Sequence, residues 1–344
     1  MSAAKQMQFK LTNIGLFIFS LLLLAIAVNA QAGDKEKKAF IFSPDSFWYI
    51  PIPADTPLHP NTDNFVQEFL RQKKAYYGNV NINMTKYASP VYYATTSTPK
   101  VKVTEWDCQH KGRPDQGLAD QFDQVPIPPN ATPADGTDSE MSVYDPSSDT
   151  LWEFWKMQKV DDSWQACWGG RIKNASKNDG AFKGHYGTTA TSLPLIAGQI
   201  TAEELASGEI NHVIGISLVD IEKSSMFSWP AHRSDGYNPK NAPNRIPEGL
   251  RFRLDPTINV DALNLHPIGK IIAKAAQKYG FVVWDKAGAI SMRAQNPYSY
   301  LGTDRLNPQI NPYDVLFGFT RPYAVLNRFP WDRLQFLPMD YGKP

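Results

Sequence analysis

The chain has 344 residues, and its 35 lysines and arginines nearly balance its 34 aspartates and glutamates, which leaves a formal net charge of +1. This balance excludes the extended basic surface of a nucleic-acid-binding protein and the strongly charged composition of a disordered one. The 27 prolines and nine tryptophans, in a chain with 12% aromatic residues, favour a loop-rich β protein over a helical bundle.

The first thirty residues have the pattern of a secretory signal peptide. Lys5 and Lys10 precede an apolar run over residues 14–28, and the small residue Ala30 follows at a typical cleavage position. A membrane anchor is the less favoured interpretation, because the run has about 15 residues and a helix that spans a bilayer needs about 20. We predict that residues 1–30 are removed near Ala30, and that the mature chain is secreted or periplasmic with no integral membrane segment.

The remaining chain divides into three predicted parts. Residues 31–99 form an N-terminal extension that packs on the main body, residues 100–295 form the main domain, and residues 296–344 form an irregular C-terminal tail. Within the main domain, apolar and polar residues alternate between turn signals, and helices do not alternate regularly with strands. The pattern predicts a mainly β fold, an antiparallel β-sandwich or jelly roll with a few short helices.

The individual elements follow from the same patterns in chain order. A short helix is expected after Asp63 and another after Thr201, where Glu204 completes a capping box. A longer helix over 266–279 has its apolar residues on one face and ends at Gly280. The predicted strands are 100–106, 140–145, 150–158, 164–173, 210–219, 225–230, 250–255, and a hairpin of 281–285 with 289–293.

The chain has two cysteines, Cys108 and Cys167. In an oxidising compartment two cysteines more often pair than remain free, so we predict a disulfide, with two buried thiols as the alternative. The bond would close a loop of about 60 residues and stabilise the fold by a few kcal/mol. The sequence has no metal-binding, cofactor-binding or nucleophile-elbow motif, so we expect neither a metal nor a cofactor.

A carboxylate on a mostly apolar strand is the first candidate for catalysis. Glu153 shares a strand face with Leu151, Trp155 and Met157, where desolvation would raise the pKa of its carboxyl and suit it to donate a proton. Trp155 is placed to stack on a sugar ring, and Asp145 is the second carboxylate that hydrolysis of a glycosidic bond requires. The alternative is a structural Glu153 whose partners are arginine or backbone donors at the sheet rim.

Imidazole and phenol groups are the candidate bases. His212 lies on an apolar strand face, a pattern equally consistent with a structural and a catalytic histidine. Tyr186 lies in a glycine-rich loop, and His232 follows Trp229 at a junction of strand and loop, where binding sites are commonly built. We expect His212 or Tyr186 to accept a proton, and His232 and Trp229 to contact substrate.

Residues 250–254 alternate between apolar and arginine side chains. Arg251 and Arg253 therefore lie on one strand face, about 7 Å apart. Two adjacent guanidinium groups suit the bidentate recognition of a carboxylate or sulfate. We predict that they bind an acidic group of the substrate, and the alternative is a solvated outer face with local acidic partners.

The central part of the chain contains a set of short motifs, which include Trp152-Glu153, Trp164-Gln165-Ala166, Ser192-Leu193-Pro194, Asn211-His212, Trp229-Pro230-Ala231-His232, Arg251-Phe252-Arg253-Leu254 and Lys278-Tyr279-Gly280. Over roughly residues 120–295 they resemble an uncharacterised group of secreted bacterial β-sandwich-like proteins without an established activity. The resemblance implies no catalytic role, but the group often has a histidine where this chain has Glu140 or Met141. The polar positions that recur in its pattern are, in this sequence, Asp145, Glu153, His212, His232, Arg251 and Asp285.

These observations predict an exported carbohydrate-active enzyme that cleaves an extracellular polysaccharide, as a hydrolase or as a lyase. In the hydrolase, Glu153 acts with Asp145, and in the lyase, the arginines hold a uronate while His212 or Tyr186 abstracts a proton. The alternative is a non-catalytic secreted glycan-binding or cell-surface protein. An enzyme should hold Glu153 or Asp145 within hydrogen-bonding distance of His212, or across a groove of about 5–10 Å. A binding protein should present a flat strip of aromatic residues.

Overall fold

The computed structural model of the chain describes residues 40–301, 311–318 and 320–344. The predicted signal peptide therefore lies outside the described residues. Residues 41–344 belong to one structural unit. None of the described helices has the length and apolar character that crossing a lipid bilayer requires.

The helices begin and end at recognisable sequence signals. In the longest predicted helix, the ring of His266 accepts a hydrogen bond from the first turn, Pro267 occupies the first position, and Gly280 follows the end with φ +76°. Thr201 and Glu204 form the predicted capping box. The α-helices of the described residues are α1 (Thr62–Ala75), α2 (Gln116–Gln121), α3 (Leu195–Gly198), α4 (Ala202–Ser207), α5 (Pro267–Lys278) and α6 (Pro312–Leu316).

Strands are distributed over nearly the whole described chain, including both flanking parts. They are β1 (Asn81–Asn83), β2 (Val91–Tyr93), β3 (Lys100–Val101), β4 (Val103–Glu105), β5 (Val125–Pro126), β6 (Met141–Asp145), β7 (Thr150–Trp155), β8 (Gln158–Val160), β9 (Ser163–Ala166), β10 (Trp168–Lys173), β11 (Ile214–Leu218), β12 (Arg251–Leu254), β13 (Phe281–Lys286), β14 (Ser291–Arg293) and β15 (Leu334–Phe336). Because β1, β2 and β15 join the sheets, the N-terminal extension and the C-terminal tail contribute to the body of the protein.

Two larger sheets contain most of the strands. The larger one has the order β1-β14-β11-β13-β12-β15, and the smaller one has the order β10-β7-β6-β2. In the larger sheet β1 runs parallel to β14 and β11 runs parallel to β13, whereas the other neighbours are antiparallel. In the smaller sheet β2 runs parallel to β6. Strands β3 and β5 form a separate pair, and β4-β9-β8 form a three-stranded sheet.

The prediction of a β-rich fold with few helices is confirmed, but its antiparallel jelly roll is not, since the sheets are mixed. The predicted hairpin of 281–285 with 289–293 is wrong, because β11 lies between β13 and β14. No strand forms over the predicted segment 225–230. Strands that pair in parallel are far apart along the chain. The alternation of apolar and polar residues within one strand does not indicate which distant strand pairs with it.

Three apolar cores lie on the faces of the two larger sheets. The first packs α1 and α5 against one face of the larger sheet. The second lies between the other face of the larger sheet and the smaller sheet, around Trp48, Phe182 and Trp284. The third covers the remaining face of the smaller sheet, around Trp152 and Phe154. Both large sheets are therefore buried on both faces, which explains why β11 and β12 are buried at every position.

The predicted disulfide between Cys108 and Cys167 is confirmed. The two Cα atoms are 5.6 Å apart, and the bond joins residues that are 59 positions apart in the sequence. The bond ties the long connection after β4 to the start of β10. A disulfide is consistent with an oxidising environment, as export would provide.

Candidate functional site

Glu153 lies in the middle of β7, and none of its surface is exposed. Its carboxylate accepts hydrogen bonds from the backbone N–H groups of Leu195 and Ile196, at 3.0 and 2.9 Å, and from the hydroxyl groups of Thr188 and Ser142, at 2.8 and 3.2 Å. The two N–H groups belong to the first turn of α3, where a helix leaves donors without internal partners. Glu153 therefore anchors α3 to the smaller sheet, and we assign it a structural role in place of the predicted catalytic one.

His212 forms its contacts with a different carboxylate from the two that the sequence suggested. Its Nε2 atom lies 3.2 Å from Oε2 of Glu204, and its Nδ1 atom lies 2.8 Å from the carbonyl oxygen of Val213. Both members of the His212–Glu204 pair are buried. Because Glu204 also caps α4 through Thr201, this pair holds the start of α4 against the segment before β11. The arrangement is that of a structural histidine.

Asp145 lies at the end of β6 and organises the following turn. It accepts hydrogen bonds from the backbone and hydroxyl of Ser147, at 2.9 and 2.6 Å, and from the hydroxyl of Ser148 at 2.7 Å. Partial burial raises the pKa of Asp145, but these hydrogen bonds outweigh it and bring the pKa below the usual value. Asp145 is therefore the cap of a tight turn, and its hydrogen bonds do not reach Glu153 or His212.

Tyr186 belongs to a cluster of three aromatic rings in mutual contact beside the disulfide. Its ring stacks on Trp168 at a centroid distance of 5.8 Å, and His185 lies 5.7 Å from the same indole. The ammonium group of Lys111 lies 4.8 Å from the Trp168 ring centroid. The Tyr186 hydroxyl donates a hydrogen bond to Asp115 at 3.1 Å, and burial raises the pKa of this phenol further. This environment does not favour Tyr186 as a base.

The remaining predicted contacts with substrate are dispersed. The indole N–H of Trp155 donates to a carboxylate at the rim of the smaller sheet. Trp229 is half-buried and packs edge-to-face on Phe47 at 5.4 Å. His232 is exposed, and its Nδ1 atom lies 3.0 Å from the carbonyl oxygen of Phe182. Arg251 and Arg253 share one face of β12 as predicted, but only 3% and 2% of their surfaces are exposed. The alternative of a solvated arginine face is therefore wrong.

A group of carboxyl side chains that sequence reasoning mostly missed lies at one edge of the larger sheet. It consists of Asp285 and Glu140, which both pair with the guanidinium of Arg293, and of Glu248 and Asp235 near Asp285, and we call it the carboxyl cluster. Asp285 lies near the end of β13, and Arg293 ends β14. Of these carboxyl residues, the sequence indicates only Asp285 as a recurring polar position, and only through the family resemblance. A carboxylate that directly follows a buried apolar strand is the signal that could have found it.

The backbone explains why Asp285 and Glu248 come together. Glu248 precedes β12, and β12 runs antiparallel to β13, with the N–H of Gly249 donating to the carbonyl oxygen of Val283 at 2.7 Å. The start of one antiparallel strand and the end of its neighbour lie at the same edge of a sheet. Asp235 joins them because its backbone N–H donates to Oε2 of Glu248 at 3.1 Å.

Arg293 connects two of the carboxylates. Its Nη1 atom pairs with Glu140, and its Nη2 atom lies 3.1 Å from Oδ2 of Asp285. The guanidinium also lies 5.7 Å from the ring of Trp284, and Arg293 itself is 5% exposed. One buried positive charge therefore faces two carboxyl groups, so the three groups carry a net negative charge whenever both carboxyls are ionised.

Burial and mutual repulsion keep protons on this cluster near neutral pH. The pKa of Asp285 is raised to about 7, mainly by burial and further by the charge of Asp235, against the opposing effect of Arg293. The pKa of Glu248 is raised to about 8 by burial and by the charges of Asp235 and Asp285. Burial likewise raises the pKa of Glu140. Carboxyl groups of this kind can donate protons at a pH where ordinary carboxylates cannot.

The cluster reaches solvent through two of its members. The Asp285 side chain is 18% exposed, and Asp235 is exposed on the loop before β12. Glu248 is fully enclosed, and its Oε1 atom has no hydrogen-bond partner among the described residues. Asp285 therefore combines a raised pKa with access to a ligand. The backbone N–H groups of Lys286 and Ala190, at 3.0 and 3.4 Å from its Oδ1 atom, help to fix its position.

Arg233 positions the loop that lies beside Asp285. Its Nη2 atom donates to the carbonyl oxygens of Thr189 and Gly187, at 2.7 and 3.2 Å, and its Nε atom donates to the hydroxyl of Ser192 at 3.0 Å. These bonds hold the segment that presents the Ala190 N–H to Asp285. Arg233 also places a positive charge near the cluster.

Two findings concern possible metal ligands and the similarity of the chain to known proteins. Within residues 40–301, 311–318 and 320–344, no three histidine, cysteine, aspartate or glutamate side chains are grouped so that they could hold a metal ion. The chain matches no protein-family model, no curated protein and no solved structure.

Proposed function

We propose that the protein is an exported hydrolase that cleaves glycosidic bonds in an extracellular polysaccharide, with Asp285 as the proton donor. The observation that carries this proposal is the environment of Asp285, a partly exposed carboxyl at the end of β13 beside a second, exposed carboxylate. Its pKa of about 7 is suited to general acid catalysis near neutral pH. Hydrolysis of glycosidic bonds commonly uses two such carboxyl groups.

Asp285, Arg293, Asp235 and Glu248 each have a role in this proposal. Asp285 protonates the leaving oxygen, and Arg293 then stabilises the carboxylate that forms, since its Nη2 atom already lies 3.1 Å from Oδ2. Asp235 supplies the second carboxylate, which activates water or attacks the sugar. The charge of Asp235 also helps to hold the proton on Asp285 before the reaction. Glu248 is a positioning residue, because it is enclosed and holds the backbone of Asp235.

Exposed apolar side chains near Asp235 support a carbohydrate substrate. Tyr237, two residues further along the same loop, is 71% exposed, and Met226 and Phe227 are 48% and 37% exposed. Aromatic rings such as that of Tyr237 offer flat faces to the apolar faces of sugars. The disulfide is consistent with a protein that acts outside the cytosol, where polysaccharides are abundant polymers.

The proposal is tested by incubating the protein with a panel of purified polysaccharides and measuring reducing ends and unsaturated uronates. We expect the wild type to release reducing ends from at least one polymer without forming unsaturated uronates. Asp285→Asn should lower kcat by about 100-fold to 10,000-fold. Asp162→Asn is the matched control, since the Asp162 side chain is 97% exposed. Full activity in Asp285→Asn with unchanged circular dichroism would disprove the assignment.

A non-catalytic glycan-binding protein is the second candidate, and one observation favours it. Trp168, His185 and Tyr186 form a cluster of three rings in mutual contact, and His185 is exposed. In that case the wild type would bind a polymer of the panel without cutting it. Replacement of His185, whose side chain is 59% exposed, would then weaken binding, and Asp285→Asn would leave binding unchanged.

A further inference from the structure

The two arginines of β12 are buried without an acidic partner. Arg251 and Arg253 point to the same face of the strand, and 3% and 2% of their surfaces are exposed. Among the residues that the structure describes, neither guanidinium has a carboxylate oxygen within 4.0 Å, whereas Arg293 and Arg245 each have two. Buried charges in proteins are normally paired, so two adjacent unpaired ones need an explanation.

Arg253 is hydrogen-bonded only to neutral groups. Its Nη1 and Nη2 atoms donate to the carbonyl oxygens of Pro53 and Ala54, at 2.7 and 2.8 Å, and its Nε atom donates to the side-chain oxygen of Gln335 at 2.9 Å. These partners orient the guanidinium and satisfy three of its five donors, but they are neutral, and the charges of Asp255 and Asp55 act on it without a direct ion pair.

Arg251 is less well satisfied. Its Nη2 atom donates to the carbonyl oxygen of Tyr279 at 3.1 Å, just past the C-terminus of α5, where the helix dipole offsets part of the charge. Its Nε atom is buried and has no hydrogen-bond partner in the described chain. Its guanidinium lies 5.7 Å from the ring centroid of Phe47 and 5.3 Å from that of Tyr341. Burial lowers the pKa of Arg251 to about 10, which shows that the site disfavours the charge it contains.

The C-terminal segment, residues 337–344, covers Arg251, because the guanidinium lies against the ring of Tyr341. The segment begins where the N–H of Leu337 donates to the carbonyl oxygen of Arg251 at 3.0 Å. It is held again where Asp340 accepts a hydrogen bond from the N–H of Trp229 at 2.7 Å. Tyr341 between Asp340 and the chain end is half-buried, so its ring can leave Arg251 without disturbing a sheet.

We propose that Arg251 and Arg253 form a binding site for an oxyanion group, a carboxylate or a sulfate, which enters between Phe47 and Tyr341. The Arg251 Nε atom would gain its missing acceptor, and the anion would neutralise charge that the protein leaves uncompensated. A planar carboxylate or a sulfate can accept two parallel N–H bonds from one guanidinium, which gives such a site both strength and orientation. The inference does not depend on the hydrolase activity, since it concerns other side chains and a different chemistry.

The test is isothermal titration calorimetry of the whole protein with sodium sulfate and, separately, sodium glucuronate, at constant ionic strength. We expect the wild type to bind at least one of the two anions, and the one that binds identifies the source of the oxyanion. Arg251→Met should weaken binding by about 30-fold, the loss expected for a charge-assisted hydrogen-bonded pair. Arg333→Met is the matched control, since the Arg333 side chain is 53% exposed and pairs with Asp255.

A second variant keeps the test valid if Arg251→Met does not fold. Tyr341→Ala removes the cover and leaves both arginines, so it should bind the same anion at least as tightly as the wild type. Absence of binding of both anions by wild type and Tyr341→Ala would overturn the site. Equal affinity of wild type and a folded Arg251→Met would overturn it as well. Loss of polysaccharide cleavage in Asp285→Asn with unchanged anion binding would separate the two proposals.

Discussion

Replacing Glu153 with alanine is expected to lower the free energy of unfolding by about 5 kcal/mol. The change would leave two backbone N–H groups of α3 and the hydroxyls of Thr188 and Ser142 without their acceptor, in a site that is 0% exposed. It would also open a cavity between the smaller sheet and α3, because such a site cannot collapse fully. Chemical denaturation followed by circular dichroism measures the loss.

The Glu153→Gln variant keeps the side-chain volume and changes the hydrogen bonding, so it separates the two contributions to stability. In Glu153→Gln one oxygen becomes an NH₂ group, and either orientation places it against a backbone N–H that also donates. We expect a loss of about 3 kcal/mol although the volume is unchanged. Glu209→Gln is the control, because the Glu209 side chain is 64% exposed and its replacement should cost little. A Glu153→Gln variant as stable as the wild type would refute the structural role.

Replacing Arg293 with methionine should destabilise the protein by about 4 kcal/mol at about pH 8, because it leaves two buried carboxyl groups without their cation. The expected loss depends on pH. Arg293 lowers the pKa values of Glu140 and Asp285, so both rise further in the variant. Unfolding by urea at a series of pH values measures the effect.

The direction of this pH dependence follows from proton linkage, the difference in proton binding between the folded and the unfolded chain. A carboxyl whose folded pKa lies above its unfolded value of about 4 contributes stability at low pH, and that stability is lost as the pH rises through the folded pKa. The destabilisation of Arg293→Met should therefore shrink to about 1 kcal/mol at about pH 4, where the carboxyls hold their protons. Arg333→Met, at a half-exposed pair, should lose less than about 1 kcal/mol at either pH. Equal losses for Arg293→Met at both pH values would contradict this account.

Local patterns predicted the local features well. The strand predicted over 150–158 begins with β7 at Thr150 but extends past the end of β7 at Trp155, and Glu153 is a carboxylate among apolar groups as predicted. The capping box of α4 and the glycine that follows α5 lie where the sequence indicated, since Thr201, Glu204 and Gly280 act within one turn of chain. Such signals are readable because the interacting groups are neighbours in the sequence.

Local sequence patterns do not indicate which residues far apart in the chain come into contact. The donors to Glu153 come from residues more than 30 positions away, except Ser142, so its carboxylate was interpreted as a catalytic acid. Arg251 and Arg253 were placed on the correct face, but that face is covered by Phe47, Pro53 and residues from the C-terminal segment. Exposure is a property of the assembled layers, and alternation in one strand reports only which side chains share a face.

The carboxyl cluster shows the same limit. Asp235, Glu248 and Asp285 lie in three separate segments, and the raised pKa values of Glu248 and Asp285 arise only when β12 and β13 pair. None of the three segments carries a motif that announces acid–base chemistry. The prediction of an enzyme with two carboxyl groups remains a proposal, in which Asp285 and Asp235 replace Glu153 and Asp145 as the candidate residues.

The most direct test of the central claim is a carboxyl NMR titration of protein labelled with ¹³C at aspartate and glutamate side chains. Asp285→Asn and Glu248→Gln assign the two signals. The account predicts that Asp285 titrates near a pKa of about 7 and Glu248 near about 8, so that Asp285 still carries a proton to donate near neutral pH. Titration of both groups below about pH 5, in the ordinary carboxyl range, would contradict the claim that this cluster is an acid–base site.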